Sequence, residues 1–410
     1  MTDFGSTYQP PGVYMDEQQT PLVTVVGTAV SVLAIVGPGI GYREGTEAIV
    51  LDGTTPTTLT TLGIATDSIE VRSADGTLLA LSTDYTKGQT GTTVAKVTTV
   101  TRVTDGAIAD GETVYVSFDY TDAAYYHPRR LRDYDGVKEL FVEPFDAESG
   151  VILSPLSLAA QVAFDSGASE VVLVPTEGTA SSVSRNQISA SYAKLTGIFD
   201  ANVVVALPVG LTGTPGSPGD IINVSLDLSN HVVNSTADGV ARIGIIGHET
   251  TVTVLPEVIA AGVTQRRVML AWPNQLLPFN GCANTNLTAG GSYPAAAAGG
   301  RLVSLAVQEG LTRKQINGFA GIPPDMLNTM TKAQKDLWSS SGVMVVEPDR
   351  NSRLIVRHGV STDPSTLISR EVSLTRAKDR MLQVIQDTLD AAQLIGAPVD
   401  PETPVRIKGV

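Results

Sequence analysis

The sequence predicts an α/β protein with an all-β insertion, a mixed or parallel sheet core and an extended N-terminal arm. Short apolar segments such as EVVLVP (170–175) and NVVVALP (202–208) alternate with segments of helical pattern. This alternation is typical of βαβ units, in which helices cover both faces of a parallel sheet. Residues 47–124 instead show short alternating strands separated by Asp-Gly turn signals, which predicts a small sandwich or barrel.

The arm is predicted from the first residues of the chain. Pro10 and Pro11 pre-set the backbone toward extended geometry, and the following Gly12, Val13, Tyr14 and Met15 can add as a strand to a sheet edge. About 20 extended residues reach roughly 65–70 Å, which is further than one domain's own surface requires. Donation of this strand to a neighbouring subunit is therefore the predicted role of residues 1–22.

The elements after the arm are predicted from hydrophobic periodicity. We expect an apolar strand over 23–36, a hairpin around Asp349 to Asn351, a strand over 367–374 and a final helix with Thr375 as its N-cap. The apolar face of that helix comprises Ala377, Met381, Val384, Ile385, Leu389, Ala392 and Ile395, and Gly396 and Pro398 end it. The helices between these elements are predicted over 155–167, 182–196, 219–234, 251–262 and 293–310, and the strands over 170–175, 202–208, 241–247 and 266–272.

The composition excludes several classes of partner. The chain has 410 residues and a net charge of −14, and it contains no run of Lys or Arg that could neutralise a phosphate backbone. We therefore expect no nucleic-acid partner and no direct membrane insertion. The uncharged segment 18–42 contains TPLVTVVGTAVSVLAIVGPGIG, which is about the length of a membrane span, but its β-branched residues favour a long buried strand. The single cysteine, Cys282, excludes an intramolecular disulfide.

No motif indicates catalysis. Gly37, Gly39 and Gly41 follow a predicted strand but lack the third glycine of a dinucleotide fingerprint, and no P-loop or nucleophile elbow occurs. The four histidines are scattered, and His248-Glu249 lacks the second histidine of a zinc helix. We therefore predict no catalytic residue, no cofactor and no metal site. The polar segment 119–136 is interpreted as a crossing between the β insertion and the α/β domain, held by Arg–Asp pairs and stacked tyrosines. An acid site or a calcium loop is the alternative.

The sequence resembles the tail sheath proteins of contractile phage tails and related injection machines. The resemblance rests on PGVYMDE (11–17), VSVLAIVGPGIG (30–41), SYPAAAAGGRLVSLAVQEGLTRKQING (292–318), SGVMVVEPDRNSRLIVRHGVST (341–362) and REVSLTRAKDRMLQVIQDTLD (370–390). The resemblance depends on the order of these segments along the chain. Residues 47–290 resemble the family only in architecture. Family members usually continue beyond a stretch such as PVRIKGV (404–410), which raises the question of a missing C-terminal arm.

The resemblance implies a structural subunit that is not an enzyme. Sheath subunits form stacked hexameric rings around an inner tail tube and contract to drive the tube through an envelope. The implied partners are other copies of the chain, the tube protein, and baseplate and tail terminator proteins, in a virion tail or a bacterial injection particle. The resemblance implies that Pro11–Met15 take part in strand exchange between subunits. It also implies that Arg376, Lys378 and Arg380 contact the inner tube, and the alternative for these three residues is a solvated helix face.

The implied domains are an arm (1–22), a core sheath domain (23–46 with 341–410), the all-β insertion (47–124) and an α/β domain (125–340). The competing hypothesis is an α/β ligand-binding protein or enzyme with its ligand at the strand ends near Pro175, Pro208 and His248. A surface adhesin is a third reading.

Overall fold

The structure is a computed structural model. It describes residues 31–39, 43–91, 96–121, 123–141, 143–145, 151–176, 182–211, 221–278 and 289–391. The predicted arm and the strand-exchange residues Pro11–Met15 lie outside these ranges, as do Cys282 and the residues after Ala391.

The described chain contains the following strands and helices. The strands are β1 (Val32–Pro38), β2 (Arg43–Leu51), β3 (Thr57–Thr58), β4 (Glu70–Ser73), β5 (Tyr85–Thr90), β6 (Val97–Arg102), β7 (Glu112–Tyr120), β8 (Arg129–Leu131), β9 (Val171–Thr176), β10 (Ala201–Ala206), β11 (Ile243–Gly247), β12 (Val268–Trp272), β13 (Gln275–Pro278), β14 (Ala289–Gly290), β15 (Phe319–Gly321), β16 (Val343–Pro348) and β17 (Leu354–Val356). The helices are α1 (Tyr134–Leu140), α2 (Pro155–Asp165), α3 (Arg185–Tyr192), α4 (Ile221–Ala237), α5 (Pro256–Val263), α6 (Ser292–Ser304), α7 (Pro324–Thr329), α8 (Lys332–Ser340), α9 (Leu367–Arg370) and α10 (Val372–Ala391).

An eight-stranded mixed sheet forms the centre of the fold, with the order β17-β16-β12-β11-β10-β1-β9-β8. The six inner strands run parallel, and the edge strands β17 and β8 pair antiparallel with their neighbours. The inner strands are continuous apolar runs, as expected for a parallel sheet covered on both faces. Val32 to Val36 of β1, for example, are completely buried.

Helices cover both faces of this sheet. A Cβ atom at Gly244 of β11 would meet Leu228 of α4, whereas a Cβ atom at Gly247, three residues later, would meet the backbone at the start of α6. Residues an odd number of positions apart in a strand point to opposite faces, so α4 and α6 lie on opposite sides of the sheet. On the α6 side, Gly300 brings this helix so close to α2 that an added Cβ would overlap the Ala163 carbonyl oxygen.

Residues 43–121 form a separate β unit with its own hydrophobic core. Two three-stranded antiparallel sheets, ordered β2-β7-β4 and β3-β6-β5, enclose buried residues that include Leu51, Ile64, Val71, Val100 and Val116. Its longest pairing runs between β2 and β7, from Arg43 opposite Tyr120 to Leu51 opposite Glu112. A third small antiparallel sheet has the order β14-β13-β15.

The mixed sheet with flanking helices and extra antiparallel sheets agrees with the predicted fold class. The sheet has twice the four strands expected from the central helix–strand repeats, because β1, β8, β16 and β17 join it. Strands from both segments of the predicted core domain and from the predicted α/β domain thus share one sheet and one hydrophobic core. The domain division, including the description of 47–124 as an insertion, stays a prediction.

Two predictions about the C-terminal region were wrong. Residues 367–374 are not a strand, because Leu367–Arg370 form α9 and Val372 begins α10. The adjacent residues Leu367 and Ile368 are both exposed, so burial does not alternate along this segment as it would in a half-buried strand. Thr375 is not an N-cap, because it lies one turn inside α10 and is buried. The cap of the preceding short helix is Thr366, whose side chain accepts a hydrogen bond from the Ser369 amide.

Candidate assembly surfaces

The last two described helices expose an unusual amount of apolar side chain. We define the α9–α10 surface as Leu367, Ile368, Leu374, Met381, Leu382 and Ile385, all of which are exposed. Leu374, Met381 and Ile385 are seven and four residues apart, and this spacing places them on one face of α10. Met381 is 58% exposed although it lies in the middle of a 20-residue helix. Apolar surface of this kind marks an interaction site more often than a solvated helix face.

The first half of α10 is fixed to the body of the protein through its opposite face. The Arg267 guanidinium donates from both Nη atoms to the two carboxylate oxygens of Asp379, at 2.6 and 2.7 Å. Val372 is buried, and the His358 Nε2 atom lies 3.1 Å from the Glu371 carboxylate just before the helix begins. Residues 381–388 are almost all exposed, so the second half of α10 extends away from these attachments.

The three predicted tube-contact residues do not form one exposed basic cluster. Lys378 is exposed, and Arg380 is half-buried with its Nη1 donating to the Gln383 side chain at 3.0 Å. Arg376 is only 7% exposed, and its Nη2 donates to the Leu305 carbonyl oxygen. Helical geometry explains the difference, because each residue advances by roughly 100° and positions two apart face nearly opposite directions. The two-residue spacing in the sequence already indicated that Arg376 and Lys378 face different sides of the helix. The prediction of Arg376 as a surface residue was therefore wrong.

One edge of the large sheet is already covered by the chain itself. Beyond β17, the Ile316 amide donates to the Leu354 carbonyl at 3.0 Å, and the Val356 amide donates to the Lys314 carbonyl at 2.9 Å. Residues 313–316 thus occupy the outer side of β17, and a strand added there would have to displace them. The opposite edge strand, β8, is three residues long.

The polar segment 119–136 draws its ion-pair partners from elsewhere in the chain. Arg130 donates from Nη1 and Nη2 to the Asp200 carboxylate at 2.7 and 2.6 Å, and its Nη1 lies 3.3 Å from Glu170. The tyrosines pack edge to face, with the Tyr125 and Tyr126 ring centroids 5.2 Å apart. Within the described ranges, no group of three His, Cys, Asp or Glu residues could hold a metal ion. The contacts tie β8 to the start of β9 and β10.

His248 and Glu249, at the carboxyl end of β11, take part in packing. The His248 ring nitrogens lie 3.1 Å from the Glu249 carbonyl and 2.7 Å from the Val254 carbonyl, and burial lowers the pKa of this imidazole. Glu249 accepts hydrogen bonds from the backbone amide and hydroxyl of Ser292, the first residue of α6. Burial raises the pKa of the Glu249 carboxyl, while the hydrogen bonds from Ser292 oppose that shift. Both side chains are bound to the protein itself, in a strand-end turn that anchors a helix N-terminus.

Comparison with known proteins finds one with clear sequence similarity to this chain. No family model matches the chain. The tail sheath protein of Mycobacterium phage Bxz1 is 31% identical over 359 residues, which cover 84% of this chain and 59% of that protein. The chain is therefore similar in sequence to a phage tail sheath protein over most of its length. The chain spans about three fifths of the length of the curated relative it matches.

Solved structures show the same fold at low sequence identity. The contracted helical sheath of the anti-feeding prophage has a TM-score of 0.51 and 13% identity, covering 98% of this chain and 81% of its own. A chain of the six-fold symmetrised baseplate of the same particle gives a TM-score of 0.52, with the same identity and coverage. The proteins that this chain resembles are structural sheath proteins rather than enzymes, which agrees with the expectation from the sequence. No helix in the described part of the chain has the length and hydropathy needed to span a bilayer.

Proposed function

We propose that this protein is a tail sheath subunit that polymerises as stacked hexameric rings around an inner tail tube, and that the assembly contracts to drive the tube through the target envelope. The observation that carries the proposal is its 31% identity to a phage tail sheath protein over most of the chain. The likeness of its fold to a helical sheath described in a contracted state supports it. Contraction would be a rigid-body rearrangement of packed subunits between two states.

Neighbouring subunits are linked in this proposal by the arm. Residues Pro11, Gly12, Val13, Tyr14 and Met15 add as a strand to a sheet of another copy. Each backbone hydrogen bond contributes about 0.5–1.5 kcal/mol net, so one such strand contributes only a few kcal/mol. Repetition of the contact along a helical lattice makes the whole assembly stable by multivalency, while each strand can still act as a hinge.

The α9–α10 surface is proposed to contact the inner tube, with Lys378 and Arg380 beside it. The exposure of Leu367, Ile368 and Met381 supports the proposal, because burying them against a partner would gain roughly 25 cal/mol per Å² of apolar area. Arg376 is left out of this contact because its side chain is buried within the subunit.

The remaining proposed partners are baseplate and tail terminator proteins at the two ends of the sheath. The proposed location is the virion tail, assembled in the host cytoplasm. A bacterial contractile injection particle is the alternative, since the structural neighbours include sheath and baseplate proteins of the anti-feeding prophage.

Sedimentation of the purified chain tests assembly. The full chain should pellet as a high-mass polymer, alone or after addition of its tube protein, because the arm links each subunit to the next. The variant lacking residues 1–20 should remain in the supernatant with an unchanged circular dichroism spectrum. Pelleting of the deletion variant to the same extent as the full chain would contradict the arm model.

A further inference from the structure

A small cavity lies beneath α10, where this helix crosses the amino ends of three parallel strands. Its volume is about 60 Å³. Ser31, Asn202 and Ala241, which stand at or just before the starts of β1, β10 and β11, line one side. Arg376, Asp379, Arg380 and Gln383 line the other side from α10. The cavity is distinct from the α9–α10 surface, which faces outward from the same helix.

Arg376 lines this cavity, and its guanidinium group has a hydrogen-bond donor without a partner in the described structure. The residue is 7% exposed, and its Nη2 donates to the Leu305 carbonyl oxygen at 3.4 Å. Its Nη1 is buried and has no hydrogen-bond partner among the described residues. Leaving a buried N–H donor without a partner is costly, so buried donors in folded proteins nearly always have one. Burial lowers the pKa of Arg376 to about 10, and the side chain is therefore still charged near neutral pH.

The acids near Arg376 are already paired. Both carboxylate oxygens of Asp379 accept from Arg267, at 2.6 and 2.7 Å. Glu309, the acid that acts electrostatically on Arg376, lies 3.6 Å from the Lys314 Nζ atom. The charge of Arg376 consequently has no dedicated counter-ion in the described structure, and the cavity presents a positive donor.

We infer that this cavity is a binding site for one carboxylate group, held by the Nη1 atom of Arg376. A water molecule occupies about 30 Å³ in the liquid, so the cavity has room for roughly two waters. A carboxylate head fits such a space and matches the guanidinium in charge and geometry. The carboxylate comes from a small free acid or from an acidic side chain of a polypeptide, and the inference does not depend on assembly of the sheath.

Thermal unfolding of the full chain distinguishes the two sources. The Tm is measured against increasing sodium acetate, with sodium chloride added to equal ionic strength as the reference. Arg376→Gln removes the charge at the cavity, and Arg72→Gln removes an exposed, surface-paired charge as the matched control. A saturable rise in Tm that Arg376→Gln abolishes and Arg72→Gln retains supports a free carboxylate. If Arg376→Gln does not fold, Arg376→Lys is measured instead. This variant keeps the positive charge but loses the planar guanidinium group, so it should show a smaller rise in Tm with acetate.

A high-resolution structure of the full chain, free or assembled, completes the test. If the Tm does not respond to acetate, a protein carboxylate within hydrogen-bond distance of Arg376 Nη1 supports the side-chain source. An Nη1 bonded only to water, together with no acetate response, overturns the inference. A Tm rise of equal size in wild type and Arg376→Gln also overturns it.

Discussion

The guanidinium of Arg267 donates two hydrogen bonds to the carboxylate of Asp379, 2.6 and 2.7 Å long. Arg267 precedes β12 and Asp379 lies in α10, 112 residues later, so the pair joins the amino edge of the central sheet to the last helix. Both side chains are almost fully buried. The pair therefore sets which face of α10 is turned inward, and it leaves Met381 and Ile385 pointing out.

Removal of one partner of this pair should be strongly destabilising. Asp379→Asn leaves the Arg267 charge buried without a counter-ion, and we expect a loss of about 3–5 kcal/mol in the free energy of unfolding. Glu70→Gln at the exposed pair with Arg72 is the control and should cost less than about 1 kcal/mol. Urea denaturation measures both. Equal, small losses would show that the Arg267–Asp379 pair does not hold α10.

The contact between α2 and α6 should not tolerate a single added methyl group. Gly300→Ala improves helix propensity by about 1 kcal/mol, but its Cβ would overlap the Ala163 carbonyl oxygen, and backbone cannot move aside cheaply. We expect a net destabilisation of about 1–3 kcal/mol in chemical denaturation. Gly321→Ala, where no atom lies within 4 Å of the new Cβ, should change stability by less than about 0.5 kcal/mol. A stabilised Gly300→Ala protein would refute the close helix contact.

Acid should destabilise the subunit partly through His231. Burial and the neighbouring Arg242 lower the pKa of His231 from 6.5 to about 4. Between these two values the unfolded chain binds a proton that the folded chain does not, so stability falls as the pH drops from about 6.5 to about 4. The effect is measured as the unfolding midpoint of His231→Gln and wild type across this range. The variant should lose less stability than wild type on acidification.

The control for this pH effect is His127→Gln, because His127 is exposed. Its pH profile should follow that of wild type. Parallel profiles for wild type and His231→Gln over the same range would rule out a contribution from His231.

Charged residues on the α9–α10 surface should block partner binding without unfolding the subunit. Met381→Asp and Ile385→Asp place a charge where the proposed tube contact buries apolar area, and we expect at least a tenfold loss of tube binding in a co-sedimentation assay. Thermal stability should stay close to wild type because both positions are exposed. Leu78→Asp, which makes the same kind of change at an exposed apolar residue of the β unit, should bind the tube normally. Normal binding by Met381→Asp and Ile385→Asp would exclude this surface as the contact.

The parts of the fold that could be predicted from sequence are those with a strong local signal. The buried run of β9, the helix α2 that begins at Pro155 after its Ser154 cap, and the β16–β17 hairpin all lie close to their predicted positions. Hydrophobic periodicity and capping chemistry depend on neighbouring residues, so one sequence is enough to detect them.

The parts that could not be predicted depend on distant residues. The alternation in LISREVSL suggested a strand, but the caps and tertiary position of α9 and α10 decide its structure. The orientation of α10 depends on Arg267, and no local pattern shows that an arginine before β12 will select Asp379. The burial of Arg376 follows from the same attachment, which is why a basic cluster that looked continuous in sequence is divided between two faces.

Negative-stain electron microscopy of the purified full-length chain, alone and with its tube protein, tests the central claim most directly. The sheath account predicts hollow, striated cylinders whose regular stripes are the stacked rings. Small discrete particles that persist with the tube protein present and across salt conditions would contradict it.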